Sequence, residues 1–174
     1  MEPVNTASAQ DLERLLLSCL RSPRWSRRVA AHRPYPDLAS LLAAADEAAY
    51  DLRWTDLGEA LAAESLPALP PDTYAAAHTA LNAAHAAYEA RFGHAFVICL
   101  DGLSPSEVLD RILEAIRSRL TNDQEEERAV TAEELRRLAS GRLLDALRNA
   151  GTARSATDAR PAAPRRSHVP PVSH

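Results

Sequence analysis

Strong helix-start signals recur along the chain and limit the folds that it can adopt. Ser22-Pro23 and Ser104-Pro105 each place a hydroxyl at an N-cap and a proline at the first helical position, where a missing N–H costs nothing. After the second of these, Glu107 supplies the acceptor of a capping box. Only residues 95–100 (AFVICL) have the pattern of a strand, and one strand cannot form a sheet with itself. The sequence therefore predicts an all-α protein in which 95–100 is an ordered apolar connection.

Apolar residues at helical spacing predict about seven helices, packed as a single irregular bundle. They cover approximately residues 9–20, 23–33, 38–52, 55–63, 73–93, 105–120 and 123–149. Gly151 is predicted to end the last of them. Residues 152–174 contain four prolines and almost no large apolar side chains, which predicts a disordered C-terminal tail. The expected organisation is one helical domain over residues 8–151 and a flexible tail over 152–174.

Composition argues against several classes of function. Twenty basic residues against 24 acidic ones give a formal net charge of −4, too little positive charge for a dedicated nucleic-acid or anionic-membrane binder. All of the basic residues are arginines, so no lysine is present to form a Schiff base with a carbonyl substrate. The sequence predicts no nucleic-acid partner and no membrane partner.

Several features are typical of a protein of the reducing cytoplasm. The chain begins without a basic segment followed by an apolar core, so no signal peptide is expected. No apolar run approaches the ~20 residues of a membrane-spanning helix. Cys19 and Cys99 have no zinc or redox spacing, and we expect both to be buried free thiols. A cytoplasmic location is therefore expected.

A stripe of polar residues follows one face of the alanine-rich helix predicted over 73–93. At 100° per residue, four of these side chains fall within a sector roughly 80° wide. They are Tyr74, His78, His85 and Tyr88. The stripe is either a core face with satisfied polar tips or a pocket wall that supplies proton donors and acceptors. His78 and His85 are two turns apart, ~10 Å, which is too far to chelate one metal ion, so no metal site is expected.

Two further residues each have two interpretations. Arg119 closes an apolar helix, where its paired N–H donors could clamp a substrate carboxylate. Alternatively, it interacts with the helix dipole and packs its stem on the core. His94 follows the helix-ending Gly93 and is either a loop residue or a site residue. The residues themselves leave both pairs of alternatives open.

Four short motifs occur in order: C-x-x-S-x-x-W at 19–25, RPYP at 33–36, Y-x-x-RFG at 88–93 and R-L-x-N at 119–122. With them, about residues 10–150 resemble the OHCU decarboxylase family, which decarboxylates 2-oxo-4-hydroxy-4-carboxy-5-ureidoimidazoline in the conversion of urate to (S)-allantoin. The resemblance implies an all-α bundle, a homodimer and decarboxylation of a small molecule without a cofactor. It also implies substrate contacts from Arg119 and from the backbone of Phe96, Val97 and Ile98.

The chain departs from the family pattern at the catalytic positions. The family has a His-Pro motif after its fourth helix, and this chain has Glu64-Ser65 there. The S-x-x-E-Q motif that holds the substrate in the family has no counterpart between Glu64 and Tyr88. His85 stands where the family has an asparagine. Glu64 could replace the family histidine as an acid only if burial keeps its carboxyl protonated near neutral pH.

These observations predict a cofactor-free enzyme of this family with an altered site. It would perform decarboxylase, lyase or cyclisation-type acid/base chemistry on a small carboxylated or heterocyclic substrate. The candidate catalytic residues are Glu64, His78 and His85. The candidate substrate-binding residues are Arg119, Phe96, Val97, Ile98, His94 and Tyr74. Arginine in place of lysine and a high alanine content are typical of high-GC bacteria, which favours a role in bacterial specialised metabolism.

Two alternative functions stay open at this point. One is a genuine OHCU decarboxylase of urate degradation. The other is a non-catalytic, dimeric interaction protein on the same scaffold. The absence of the S-x-x-E-Q motif favours the second alternative, because a motif is easily lost when no chemistry is selected.

Overall fold

The structure is a computed structural model that describes residues 2–65, 69 and 75–158, and the side chains of residues 4–65, 69 and 75–150. Within these residues the chain forms eight α-helices and no β-strand, which confirms the predicted all-α class. The helices are α1 (Glu2–Thr6), α2 (Ala9–Cys19), α3 (Pro23–Ala31), α4 (Leu38–Tyr50), α5 (Trp54–Leu61), α6 (Ala75–Phe92), α7 (Pro105–Arg119) and α8 (Gln124–Asp158). The sequence does not predict the five-residue α1. None of these helices is both long and apolar enough to span a bilayer.

Local capping interactions fix the starts of four helices. Side-chain oxygens of Ser8, Ser22 and Asp37 accept backbone N–H groups in the first turns of α2, α3 and α4. At the start of α7, the Glu107 carboxylate accepts the Ser104 N–H at 3.0 Å, as in a capping box. These caps satisfy donors that the first turn of a helix leaves unpaired. Because the caps depend on neighbouring residues only, the sequence predicts these starts correctly.

The last helix is longer than the sequence predicts. α8 passes through Gly151 and ends at Asp158, so the prediction that Gly151 ends the helix is wrong. A glycine in a helix interior costs about 1 kcal/mol relative to alanine, which a 35-residue helix tolerates. The remainder of the predicted tail, residues 159–174 with His168 and His174, lies outside the described residues.

Two clusters of buried side chains hold the helices together. The larger one joins α1–α5 to α8 and contains Trp25, whose indole N–H donates to the Ala45 carbonyl at 2.8 Å. The smaller one joins α6 to α7 and contains Tyr88, Phe96 and Ile112. Each large apolar side chain contributes about 1.5–3 kcal/mol when it is fully buried. The bundle is therefore stabilised around two separate cores.

The segment 95–100 connects α6 to the turn before α7 and contributes to both cores. Val97 packs in the larger cluster, whereas Phe96 and Ile98 pack in the smaller one. Alternate side chains of an extended backbone point to opposite sides, which explains this division. The segment forms no strand, as predicted. It lies beside α8 and forms one wall of the site described next.

Candidate functional site

An ion pair joins the loop after α5 to α8. Arg142 Nη1 donates to Glu64 Oε1 at 2.7 Å, and Nη2 donates to Oε2 at 2.8 Å. The Glu64 side chain is 9% exposed and the Arg142 side chain is 39% exposed. Two parallel hydrogen bonds are the strongest arrangement of a guanidinium with a carboxylate. The two residues are 78 positions apart in the chain, so only the tertiary fold brings them together.

The surrounding backbone leaves part of Arg142 available to a ligand. Nη1 also donates to the Cys19 carbonyl at 3.1 Å. Described residues therefore accept hydrogen bonds from three of the five N–H groups of the guanidinium. The hydrogen bonds to Glu64 raise the pKa of Arg142, so its positive charge persists at every physiological pH.

The ion pair lines a cavity of about 190 Å³. Its other lining residues are Ser65, Val97, Ile98, Leu100, Asp101 and Leu138. Three residues that were predicted for the site, Glu64, Val97 and Ile98, thus lie around one space. This volume is below the roughly 300–1,000 Å³ of pockets for drug-sized ligands. The cavity suits a small molecule with a charged or strongly polar group.

Side chains from three helices hold the wall of this cavity in place. The hydrogen bonds run from Arg119 Nη1 to the Val97 carbonyl (2.6 Å), from the Cys99 N–H to Glu134 Oε2 (2.7 Å) and from the Phe96 N–H to His85 Nε2 (3.2 Å). Buried backbone groups need partners, and an extended segment outside a sheet has no neighbouring strand to supply them. These side chains therefore supply the backbone hydrogen bonds that a neighbouring strand would supply in a β-sheet.

Arg119, a predicted substrate clamp, donates its hydrogen bonds within the protein. Its side chain is 8% exposed. Nε donates to Glu127 Oε1 at 2.8 Å, and Nη2 lies 3.1 Å from the Tyr88 hydroxyl and 3.0 Å from the Thr131 hydroxyl. Burial and the adjacent Glu127 carboxylate raise the pKa of Tyr88, so its phenol stays protonated and donates to Glu127. The guanidinium and its partners form a buried, satisfied polar network.

Arg119 does not line the Glu64–Arg142 cavity. Arg119 instead lines a second cavity, of about 330 Å³, between α7 and α8. Ile98 lines both cavities. The Phe96 ring lies against the Arg119 guanidinium, with 4.5 Å from ring centroid to the central carbon, a favourable cation–π distance. Phe96 and Arg119 therefore support the cavity wall from behind.

The histidines of the predicted stripe line neither of these two cavities. His78 is exposed on α6. His85 is half-buried, with Nε2 bonded to the Phe96 N–H and Nδ1 3.8 Å from Glu89 Oε2. The apolar contacts of α6 are made with α7, through Leu81 and its neighbours, so the buried face of α6 is narrow. Tyr74, the first residue of the predicted stripe, lies outside the described residues.

His94 is in a different part of the structure. It is half-buried and lines a cavity of about 240 Å³ together with Trp54 and Phe92. Its ring meets the Trp54 ring edge-on, with centroids 5.5 Å apart. The predicted site residues that the structure describes therefore do not share one cavity. Glu64, Val97 and Ile98 line one with Arg142, whereas Arg119 and His94 line two others. His78, His85 and Phe96 line none of the three.

Replacing His85 by leucine should lower the free energy of unfolding by about 1–3 kcal/mol. Leucine cannot accept the Phe96 N–H, and an unsatisfied buried donor costs about this much. Urea denaturation measures the effect, with the exposed His78→Leu on the same helix as the control, expected within about 0.5 kcal/mol of wild type. Equal stability of His85→Leu and wild type would show that the hydrogen bond has no structural role.

The cysteines are free thiols, as expected, although Cys99 is only half-buried whereas Cys19 is buried. Burial raises the pKa of both thiols, so both stay protonated near neutral pH and are poor nucleophiles. In the part of the chain that the structure describes, no group of three or more histidine, cysteine, aspartate or glutamate side chains is placed to hold a metal ion.

Sequence reasoning missed Arg142. Near the end of a long helix, an arginine is ordinarily interpreted as a partner of the helix dipole. A weak signal was present, because Arg142 follows Leu138 by one turn and precedes the fully buried Leu143, which puts its charge at the edge of the buried face. Its partner Glu64 could not be found from spacing, since Glu64 lies in the loop after α5, 78 residues away.

Comparisons with known proteins agree with the fold. A solved OHCU decarboxylase, crystallised in the presence of (S)-allantoin, superposes with a TM-score of 0.66 and 20% identity over 80% of this chain and 97% of that one. An (S)-allantoin synthase superposes with a TM-score of 0.64 and 19% identity over 83% of this chain and 53% of that one. This chain thus spans about half the length of the synthase. At these identities the superpositions establish a shared fold.

The family comparison is more specific. No curated protein matches the chain. The family model described as OHCU decarboxylase matches residues 5–65 and 64–144. These two parts include most of the helical bundle, and they meet at Glu64 and Ser65 beside the cavity. The chain therefore belongs to the OHCU decarboxylase family.

Proposed function

We propose that the chain is a cofactor-free decarboxylase or related lyase that acts on a small carboxylated heterocycle in the cavity lined by Glu64 and Arg142. The observation that carries this proposal is the position of the ion pair at the wall of that cavity. An ion pair with a partly exposed member contributes little to stability. Its location beside a cavity therefore favours a role in binding and catalysis over a role in stability alone.

In this proposal the substrate competes with Glu64 for Arg142. The guanidinium offers a planar set of N–H donors that fits a carboxylate or a ring carbonyl. Leu100 and Leu138 supply apolar surface to the same cavity, which favours a compact ring over a fully polar ligand. The size of the cavity limits the substrate to a small molecule.

Glu64 is the proposed proton donor. When Arg142 binds the substrate, Glu64 loses its counter-charge and lies next to the substrate carboxylate. A like charge nearby disfavours the ionised form of a carboxylate, and in this proposal Glu64 takes up a proton from solvent. A positioned acid of this kind contributes about 10²–10⁴ in rate. This substrate-linked protonation removes the need for a Glu64 that is protonated in the free protein.

The proposed reaction is balanced without a cofactor. The bond between the ring carbon and the carboxylate breaks, CO₂ leaves, and the electron pair stays on the ring carbon. Arg142 stabilises the negative charge that develops on the conjugated ring oxygen. The Glu64 proton then forms the new C–H bond, and Glu64 returns to Arg142.

Release of CO₂ tests the proposal. The purified chain is incubated with OHCU and with carboxylated imidazolines and hydantoins that carry ¹³C in the carboxyl group, and ¹³C NMR follows bicarbonate. We expect release from at least one of them, slowed about 10²–10⁴-fold in Glu64→Gln. Glu133→Gln, on the far side of α8 in a pair with Arg136, is the control and should react like wild type. Equal rates for wild type and Glu64→Gln would contradict the assignment.

A second candidate is decarboxylation of OHCU itself to (S)-allantoin. It is favoured by the family model and by superposition on nearly the full length of a solved OHCU decarboxylase. The same assay distinguishes the two candidates: fast, stereospecific formation of (S)-allantoin supports this one, whereas faster turnover of another carboxylate supports an altered substrate, as in bacterial specialised metabolism.

The assembly and location are part of the proposal as well. We propose a homodimer in the cytoplasm, on the strength of family membership. Sedimentation equilibrium measures the mass of the assembly directly. A dimer that releases CO₂ from none of the substrates and binds no carboxylate would favour the non-catalytic interaction protein instead.

A further inference from the structure

A second carboxylate lies at the cavity of the Glu64–Arg142 pair. Asp101 lines that cavity and is exposed at its mouth. It is the second residue of a turn that the Leu103 N–H closes on the Leu100 carbonyl at 3.2 Å. The third residue, Gly102, has φ +81°, which glycine adopts without strain. The turn therefore presents Asp101 in a defined position at the end of the 95–100 segment.

A glycine on α8 makes room for this carboxylate. A Cβ added to Gly141 would lie 2.5 Å from Asp101 Oδ2, closer than real atoms approach. At Gly58, Gly93 and Gly102 an added Cβ would meet nothing within 4 Å. The Asp101 carboxylate thus lies directly against the α8 backbone, one residue before Arg142.

The two carboxylates of the cavity differ in their partners. Both oxygens of Glu64 are bonded to Arg142. Among the described residues, Asp101 forms no ion pair within 4.0 Å, although Arg142 lines the same cavity. The side chain of Cys99 is hydrogen-bonded to Asp101, and a thiol is only a weak hydrogen-bond donor. An ionised carboxylate accepts hydrogen bonds and donates none, so Asp101 retains acceptor capacity that faces the cavity.

We infer that Asp101 is a specificity-determining residue, and that its carboxylate selects substrates that carry an N–H donor next to the group bound by Arg142. This inference rests on the proposed function of the cavity. Arg142 supplies donors from α8, and Asp101 supplies acceptors from the turn that lies against the neighbouring Gly141. A ligand that presents only oxygens satisfies Arg142 and is repelled by Asp101, whereas an amide or amine N–H satisfies both.

Two probes of equal size and charge isolate this contribution. Succinamate and 4-oxopentanoate share a carboxylate and a carbonyl and differ only in a terminal NH₂ in place of CH₃. Isothermal titration calorimetry measures their dissociation constants on the full chain. We expect succinamate to bind about tenfold more tightly, the usual value of one hydrogen bond to a charged group. In Asp101→Ala the preference should disappear through weaker binding of succinamate, with 4-oxopentanoate bound as well as or better than by wild type.

Variants at the two glycines provide a matched control. Gly141→Ala forces Asp101 away from its position and should reduce the preference, whereas Gly58→Ala, with open space around it, should not. An unchanged preference for succinamate in Asp101→Ala would overturn the inference while leaving the site intact. Failure of both probes to bind wild type, or binding that Arg142→Met does not weaken, would overturn the proposed site itself. Thermal melts of each variant establish that the fold is retained.

Discussion

Replacing Arg119 by methionine should lower the free energy of unfolding by about 3–5 kcal/mol. The substitution keeps an unbranched apolar stem and removes the charge that balances Glu127, whose side chain is 1% exposed. Breaking a buried pair by removing one partner leaves an uncompensated buried charge, which costs about this amount. For a domain stabilised by about 5–15 kcal/mol, the loss is a large part of the total. It would mark Arg119 as a structural residue.

Urea denaturation of Arg119→Met measures the effect. Arg117→Met is the matched control, because Arg117 is exposed on the same helix, and its replacement should change stability by about 0.5 kcal/mol or less. The double variant Arg119→Met/Glu127→Gln should recover part of the loss, since no unpaired charge is then left in the core. If Arg119→Met were as stable as Arg117→Met and also failed to bind carboxylates, Arg119 would be the substrate clamp that its position in the sequence allows.

Replacing Arg142 by methionine should lower kcat/KM for the decarboxylated substrate by about 10²–10³-fold. Removing one donor that stabilises developing negative charge typically lowers the rate by this factor. Arg142 lines the cavity beside Glu64 and is hydrogen-bonded to it. The effect on stability should be smaller than that of Arg119→Met, because the carboxylate left without its partner is less buried: the Glu64 side chain is 9% exposed and that of Glu127 is 1% exposed.

Steady-state kinetics with Arg136→Met as the control test this expectation. Arg136 is on the same helix and is also ion-paired, with Asp46 and Glu133, but it lines a different cavity. It should therefore retain wild-type kcat/KM. Wild-type activity in Arg142→Met would remove the basis for placing the site in this cavity.

The sequence predicts those parts of the fold that depend on near neighbours. The N-caps at Ser8, Ser22 and Asp37 act within three residues, so they are visible in the sequence as short motifs. The 95–100 connection is predictable for a similar reason, since a lone apolar strand has no partner. The end of α8 is not, because Gly151 is tolerated inside a long helix whose other residues favour helical structure.

The candidate site is only partly predictable, because its contacts join distant residues. Glu64 was identified through its position in a family pattern, and Val97 and Ile98 through the same resemblance. Arg142 has its partner 78 residues away, which no local pattern reveals. Asp101 was also missed, although the Asp-Gly pair with Gly102 is a recognised turn signal. Its role depends on Gly141, on another element of the fold.

Helical periodicity identified the stripe on α6 but not its environment. The angles of His78 and His85 on the helix follow from geometry alone. Which part of the stripe is buried depends on the neighbours of α6. The 95–100 segment contacts His85 through the Phe96 N–H, whereas His78 lies in solvent. The environment of Arg119 likewise does not follow from its position on α7, because it donates hydrogen bonds to residues of α6, α8 and the 95–100 segment.

The most direct measurement is a titration of the chain with 4-oxopentanoate, followed through the ¹⁵N resonances of the arginine side chains. Spectra of Arg142→Met and Arg119→Met assign the two signals of interest. If 4-oxopentanoate binds in the Glu64–Arg142 cavity, the Arg142 signal should shift and saturate, and the Arg119 signal should not change. A saturable shift of Arg119 with Arg142 unaffected would contradict it, and would place the carboxylate in the cavity between α7 and α8 instead.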